Sequence, residues 1–229
     1  MNASDLCGKI FIASYSGGKD SVLAMHRAIN SGLLPLGLLT TYNLDSSRSW
    51  SHGMNENLMQ QASDSLKIPL TIIKTPGNQY EENFESVLTE MKNRGAEVCV
   101  FGDIDIKGHF EWYSERCKKA GLIPFFPLWK EEREKVVYEF IDAGFFAIIT
   151  AVDTNLMSKE FLGQLLTREV ADSIDRSGAD ICGENGEYHT FVFDGPIFSK
   201  KVDFIVKDEI RCDKYILLNL ETNPEITVT

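Results

Sequence analysis

At 229 residues, 43% hydrophobic and 25% charged, the chain can bury one large core or a nucleotide-binding unit with a smaller second lobe. A formal net charge of -11 with no Lys/Arg run argues against a general nucleic-acid surface, which needs clustered cations. Cys7, Cys99, Cys117, Cys182 and Cys212 form no Cys-x-x-Cys pair, so they read as reduced thiols of a cytoplasmic protein; no apolar stretch approaches the roughly 18 residues of a membrane span or suits a leader.

Through the first half, apolar runs of strand length alternate with amphipathic stretches, the pattern of βαβ units in a parallel sheet. Strands are predicted at 9–14, 36–41, 70–74, 97–102 and 122–126, and helices at 20–31, 55–66, 81–94 and 109–120. The expected fold is α/β: a doubly wound parallel sheet of about five strands, followed by a smaller α/β C-terminal domain. Beyond Phe126 the periodicity predicts helices at 130–143 and 159–174, and strands at 145–152, 189–193, 201–210 and 215–218, with a domain boundary near Leu128 (1–128 and 129–229). Ligands of such sheets lie beyond the carboxyl ends of the strands, so the turns at 16–21, 42–53, 76–80 and 103–108 are where a site is expected.

The first of these turns, Ser16-Gly17-Gly18-Lys19-Asp20-Ser21, lies between an apolar strand ending at Ser14 and a helix start. Amides of a first helical turn and the helix dipole favour an anion. Gly17 and Gly18 permit close backbone approach, Lys19 adds a cation, and Ser16 and Ser21 add hydroxyls. The spacing is too short for the usual triphosphate loop, and an Asp follows the Lys. It resembles the PP-loop of ATP pyrophosphatases, which cleave ATP between its α and β phosphates. A second polar run, Gly183-Glu184-Asn185-Gly186-Glu187, presents two carboxylates and an amide ahead of Tyr188 and His189. On its own such a turn reads as an ordinary hairpin.

Taken with Ser51-His52-Gly53-Met54-Asn55, Phe101-Gly102-Asp103-Ile104 and Pro127-Leu128-Trp129, these runs resemble, in order and spacing, the diphthine–ammonia ligase family of PP-loop ATP pyrophosphatases. The resemblance extends from about Ile10 to Phe193 and breaks at Asp105 to Arg116, where Asp105, His109 and Trp112 replace the family's pattern. It implies a Rossmann-like (HUP-type) five-stranded parallel sheet followed by a substrate-binding C-terminal domain, and adenylation of a carboxylate with release of pyrophosphate, then attack by ammonia or another amine to leave an amide and AMP.

Under that reading Lys19, Asp20, Glu184 and Glu187 are the catalytic candidates. ATP is expected on Ser14, Ser16, Gly17, Gly18, Lys19, Asp20, Ser21, Tyr42, Asn43, His52, Gly102 and Asp103, with Mg2+ on Asp20. The acceptor is expected on Gly183, Glu184, Asn185, Glu187, Tyr188, His189 and Trp129. It would be a carboxylate on a protein, elongation factor 2 where diphthamide is made, or on a small molecule; a homodimer is left open. Two other readings remain at this point: a PP-loop enzyme modifying a tRNA base, and a sensor that holds an adenine nucleotide without turnover.

Overall fold

The computed structural model describes residues 3–43, 48–49 and 54–223, and the side chains of Asn43, Arg48 and Ser49 lie outside the description. The chain divides into two compact units. One comprises Met1–Ser16, Asp20–Trp50 and Ile68–Glu131; the other comprises Gly17–Lys19, Ser51–Lys67 and Glu132–Thr229. Among the described residues no helix is long and apolar enough to cross a membrane.

The first unit carries strands β1 (Ile10–Ser14), β2 (Leu34–Asn43), β3 (Arg48–Ser49), β4 (Leu70–Thr75), β5 (Val98–Val100) and β6 (Ile123–Phe125). Five of them run parallel in the order β4-β2-β1-β5-β6, and two-residue β3 pairs antiparallel to the end of β2. The order reverses between β1 and β5, and such a switch point opens a crevice for a ligand at the strand ends. This is the predicted Rossmann-like α/β sheet.

Helices α1 (Lys19–Asn30), α3 (Tyr80–Asn93) and α4 (Lys107–Ala120) connect its strands, with α2 (Glu56–Leu66) clustering in the other unit. Phe84, Leu88 and Met91 of α3 and Cys117 of α4 close over Ile12, Leu39, Ile73, Cys99 and Phe101 of the sheet and its exits. Burial of these side chains, each contributing roughly 1.5–3 kcal/mol for the large ones, is what holds the sheet against its helices. The helices stop where the sequence supplies left-handed residues, as at Gly121 (φ 72°) after α4.

The second unit is an antiparallel sheet, β8-β7-β10-β9, formed by β7 (Phe146–Asp153), β8 (Tyr188–Asp194), β9 (Phe204–Cys212) and β10 (Tyr215–Thr222). Helices α5 (Arg133–Asp142) and α6 (Arg168–Arg176) belong to it. The helix predicted over 159–174 is broken. Only Lys159–Phe161 forms a short 3-10 turn, Gly163 takes φ 82°, and the chain then runs along β7, with Gly163 and Leu166 amides donating to Ile149 and Ala147 carbonyls, before α6 begins. Strand-edge hydrogen bonds on β7 outweigh the apolar periodicity that favoured a continuous helix.

Helix α2 is anchored at its start by Asn55. Its Oδ1 accepts from the Leu58 amide at 2.8 Å and its Nδ2 donates to the Leu220 carbonyl at 2.6 Å, so one side chain both caps the helix and ties it to β10. Asn55→Ala is expected to lower stability by about 1–2 kcal/mol, read as a lower urea midpoint with an unchanged denaturant slope.

Candidate functional site

In the first unit the exit of β1 is fixed by backbone pairing, Tyr15 N–H donating to the Leu39 carbonyl at 2.8 Å. Ser16 and Ser21 then close on each other: the Ser16 amide and hydroxyl reach Ser21 Oγ at 3.4 and 3.2 Å. Gly102 follows β5 across the switch point, and a Cβ there would meet the carbonyl carbon of Asp20 and the amide of Ser21 at 2.7 Å. No residue but glycine lets the two strand exits approach this closely. Asp103 comes next, and its carboxylate is 2.9 Å from His109 Nδ1 near the start of α4.

Tyr42 is buried at the end of β2. Trp129 stacks on Phe110 (centroids 4.4 Å apart) in a row with Phe126, while Trp112 packs against Tyr80 and Phe84 with the Arg116 guanidinium 4.5 Å from its ring. Of the three residues in the divergent stretch, Trp112 serves the core and His109 serves Asp103.

Gly17–Lys19 cluster with the second unit. Gly17 adopts φ 80°, and a Cβ there would come within 3.2 Å of Met59 Sδ, so both its conformation and its space call for glycine. Three bonds tie this tripeptide down: the Val192 amide donates to the Gly17 carbonyl at 2.8 Å, the Lys19 amide donates to Thr190 Oγ1 at 3.0 Å, and Lys19 Nζ donates to the Cys182 carbonyl. The ammonium also lies 5.3 Å from the centroid of the Tyr188 ring, and Lys19 is only 4% exposed.

The turn at 183–187 is built around two carboxylates. Asp180 accepts from the Cys182 amide (3.1 Å), the Glu184 amide (2.8 Å) and Arg133 Nη1 (2.6 Å). Glu187, 5% exposed, accepts from the Asp180 amide and from both nitrogens of Asn185. Its oxygens are therefore engaged in shaping the turn, whereas the Glu184 side chain is partly exposed and Asn185 is exposed. Gly183 (φ 69°) lies against Tyr188, whose hydroxyl donates to the Ile181 carbonyl at 2.6 Å.

Behind the turn, Lys214 pairs with Asp153 at 2.7 Å. Burial pushes the Asp153 carboxyl up, but the hydrogen bonds from Lys214 and the Asn155 amide, with the Lys214 charge, hold it below the usual carboxylate range. His189 goes the other way from an ordinary imidazole. Burial first, then the charges of Lys19 and Lys214, push it down to about 4, so it is neutral near pH 7.

The structure thus gathers Gly17, Gly18, Lys19, Gly183, Glu184, Asn185, Glu187, Tyr188 and His189 in the second unit, and Ser14, Ser16, Asp20, Ser21, Tyr42, Gly102, Asp103 and Trp129 in the first. His52 lies outside the described residues, as does the side chain of Asn43. Thr190, Asp180, Arg133, Asp153 and Lys214 were not singled out in the sequence. Thr190 had a signal, a hydroxyl amid the apolar run Phe191-Val192-Phe193; the ion pairs join residues too distant in sequence to announce themselves.

A doubly wound parallel α/β sheet, followed in the same chain by a unit with an antiparallel sheet and an acidic turn, defines the class as a Rossmann-like α/β protein. Sequence comparison gives the particular family: the profile described as "Diphthamide synthase N-terminal domain" matches residues 9–124, and "Diphthamide synthase C-terminal domain" matches 132–219. The chain belongs to the diphthamide synthase family. It is 27% identical over 214 residues to the diphthine–ammonia ligase of Danio rerio (82% of this chain, 83% of the relative). To that of Rattus norvegicus it is 26% identical over 216 residues (83% and 80%), and to that of Homo sapiens 36% over 90 residues (38% and 34%).

The His189 environment has a measurable consequence. Its folded-state value is depressed, so the unfolded chain takes up the proton first; the stability is complete above about 6.5 and is lost as pH falls from there toward 4. Between pH 7 and 4.5 this amounts to about 2 kcal/mol. Urea melts at the two pH values are expected to show a smaller drop for His189→Gln than for the unaltered chain.

Proposed function

We propose that this chain is an ATP-dependent carbon–nitrogen ligase that adenylates a carboxylate, releases pyrophosphate and transfers ammonia or another amine to the activated carbonyl. The observation that carries this reading is the placement of Lys19: its ammonium sits on the carbonyl of Cys182, the residue that opens the acidic turn. A group suited to a phosphate and a turn suited to an acceptor are thereby adjacent within one unit. That adjacency is what a two-step ligase requires and a nucleotide store does not.

In this mechanism the acceptor carboxylate attacks the α phosphate, the bond to the β phosphate breaks, and pyrophosphate leaves. Lys19 stabilises the charge that accumulates on the departing group, with the Ser16 and Ser21 hydroxyls nearby on the loop. Mg2+ would neutralise phosphate charge. In this reading Asp20 would hold it through a carboxylate oxygen.

The amine then attacks the acyl carbon, the carbon–nitrogen bond forms and AMP leaves. In this reading Glu184, partly exposed on the turn, meets the amine or acceptor, and Glu187 acts through the turn it shapes. Neutral His189 adds no positive charge beside Lys19, which suits an ammonia-derived nucleophile in its uncharged form. Tyr42, Gly102 and Asp103 remain the expected neighbours of the nucleoside, and Trp129 of the acceptor.

The names of the relatives support diphthine as acceptor and ammonia as donor; in our reading that diphthine is carried by elongation factor 2 and the reaction takes place in the cytoplasm. Purified protein with ATP, MgCl2, ammonium and diphthine-bearing elongation factor 2 is expected to release AMP and pyrophosphate in step with amide formation. Lys19→Ala should reduce pyrophosphate release by about a hundredfold or more. Glu184→Gln should leave ATP binding intact and lower amide formation. ATP binding without pyrophosphate would identify a sensor instead, and pyrophosphate release only with another carboxylic acid would keep the ligase and change the acceptor.

A further inference from the structure

Thr190 places a hydroxyl in an apolar stretch of strand. It is 2% exposed on β8, directly before the buried Phe191, Val192 and Phe193. Valine has nearly the same shape and is at least as well suited to a strand, so packing alone would favour it. The hydroxyl instead accepts a hydrogen bond from the Lys19 amide at 3.0 Å, across 171 residues of sequence.

That amide belongs to the first residue of α1, one of the donors that a helix leaves without an internal partner and that an anion would otherwise claim. Thr190 takes it. Lys19 is consequently fixed at its backbone, while its side chain extends to the Cys182 carbonyl over the Tyr188 ring, two residues from Thr190 and on the same face of the strand. One further bond, from the Val192 amide to the Gly17 carbonyl, holds the other end of the tripeptide.

Resting on the nucleotide reading above, we propose that Thr190 is a positioning residue for ATP. Its side-chain oxygen sets the backbone of Lys19, and thereby the origin from which the lysine ammonium reaches a phosphate. Strand β8 of the C-terminal half is then part of the nucleotide site, not only of the acceptor side.

The test titrates intact protein with ATP and MgCl2 by calorimetry, with thermal melts in parallel. Thr190→Val should weaken ATP binding about tenfold, the effect of one buried hydrogen bond, and Thr190→Ser, which keeps the acceptor, should stay within about threefold of the unaltered chain. A purely structural role would lower the melting temperature and leave the affinity of the folded protein unchanged; that result overturns the proposal. So does equal loss in the serine and valine variants, which would assign the effect to packing. Should the valine variant not fold, Thr190→Cys, with a weak acceptor of similar size, must bind ATP more weakly or the proposal fails. Absence of ATP binding by the unaltered chain would instead remove the nucleotide reading itself, an outcome distinct from unaltered and valine-substituted proteins binding alike.

Discussion

The grip of β8 on Gly17–Lys19 is the constraint around which the functional residues are arranged. A lysine that is 4% exposed must have its ammonium satisfied, since an isolated buried cation would lose its proton or unfold its surroundings. The Cys182 carbonyl and the Tyr188 ring meet that need, and both are fixed in turn: Cys182 by the Asp180 turn and Tyr188 by its hydroxyl on Ile181. Ordering of the acidic turn and placement of the loop lysine are therefore the same problem, solved once. The low basicity of His189 comes first from its burial, and the retained Lys19 charge, with that of Lys214, adds to it.

In the other unit the corresponding constraint is the missing side chain at Gly102. Two strand exits at the switch point can meet only if one of them lacks a Cβ, and the approach to the Asp20–Ser21 backbone leaves no room for a methyl group. Asp103 is delivered by that contact to the strand ends, where His109 restrains its carboxylate. The stretch 105–116 thus supplies two things: an aromatic and cationic reinforcement of α3 against α4 through Trp112 and Arg116, and, with Asp103, a carboxylate–imidazole pair beside the loop after β5.

Much of the first unit was legible in the sequence because its strands are short apolar runs separated by amphipathic helices with clear stop signals, and every predicted strand there has a counterpart. The Ser16–Ser21 loop and the Gly183–Glu187 turn were legible because glycine and charge together are conspicuous. What the sequence hid was partnership. Nothing local indicates that Glu187 spends its oxygens on its own turn, that Asp153 waits for Lys214, or that Thr190 faces Lys19. The break at Gly163 was hidden for a related reason: the residues after it pair with β7, a strand whose need for a neighbour is invisible from 163–166 alone.

Strand β8 stands at one margin of its sheet and β9 at the other. The β9 margin carries Lys207, Asp208 and Glu209, charges that discourage another strand from docking. The β8 margin is uncharged over Thr190, Phe191, Val192 and Phe193, ahead of Asp194, and there the Val192 amide is met by the Gly17 carbonyl. The Gly17 carbonyl consequently occupies a backbone donor that another strand could otherwise pair with. The loop proposed to meet a phosphate thereby also covers part of an apolar strand margin.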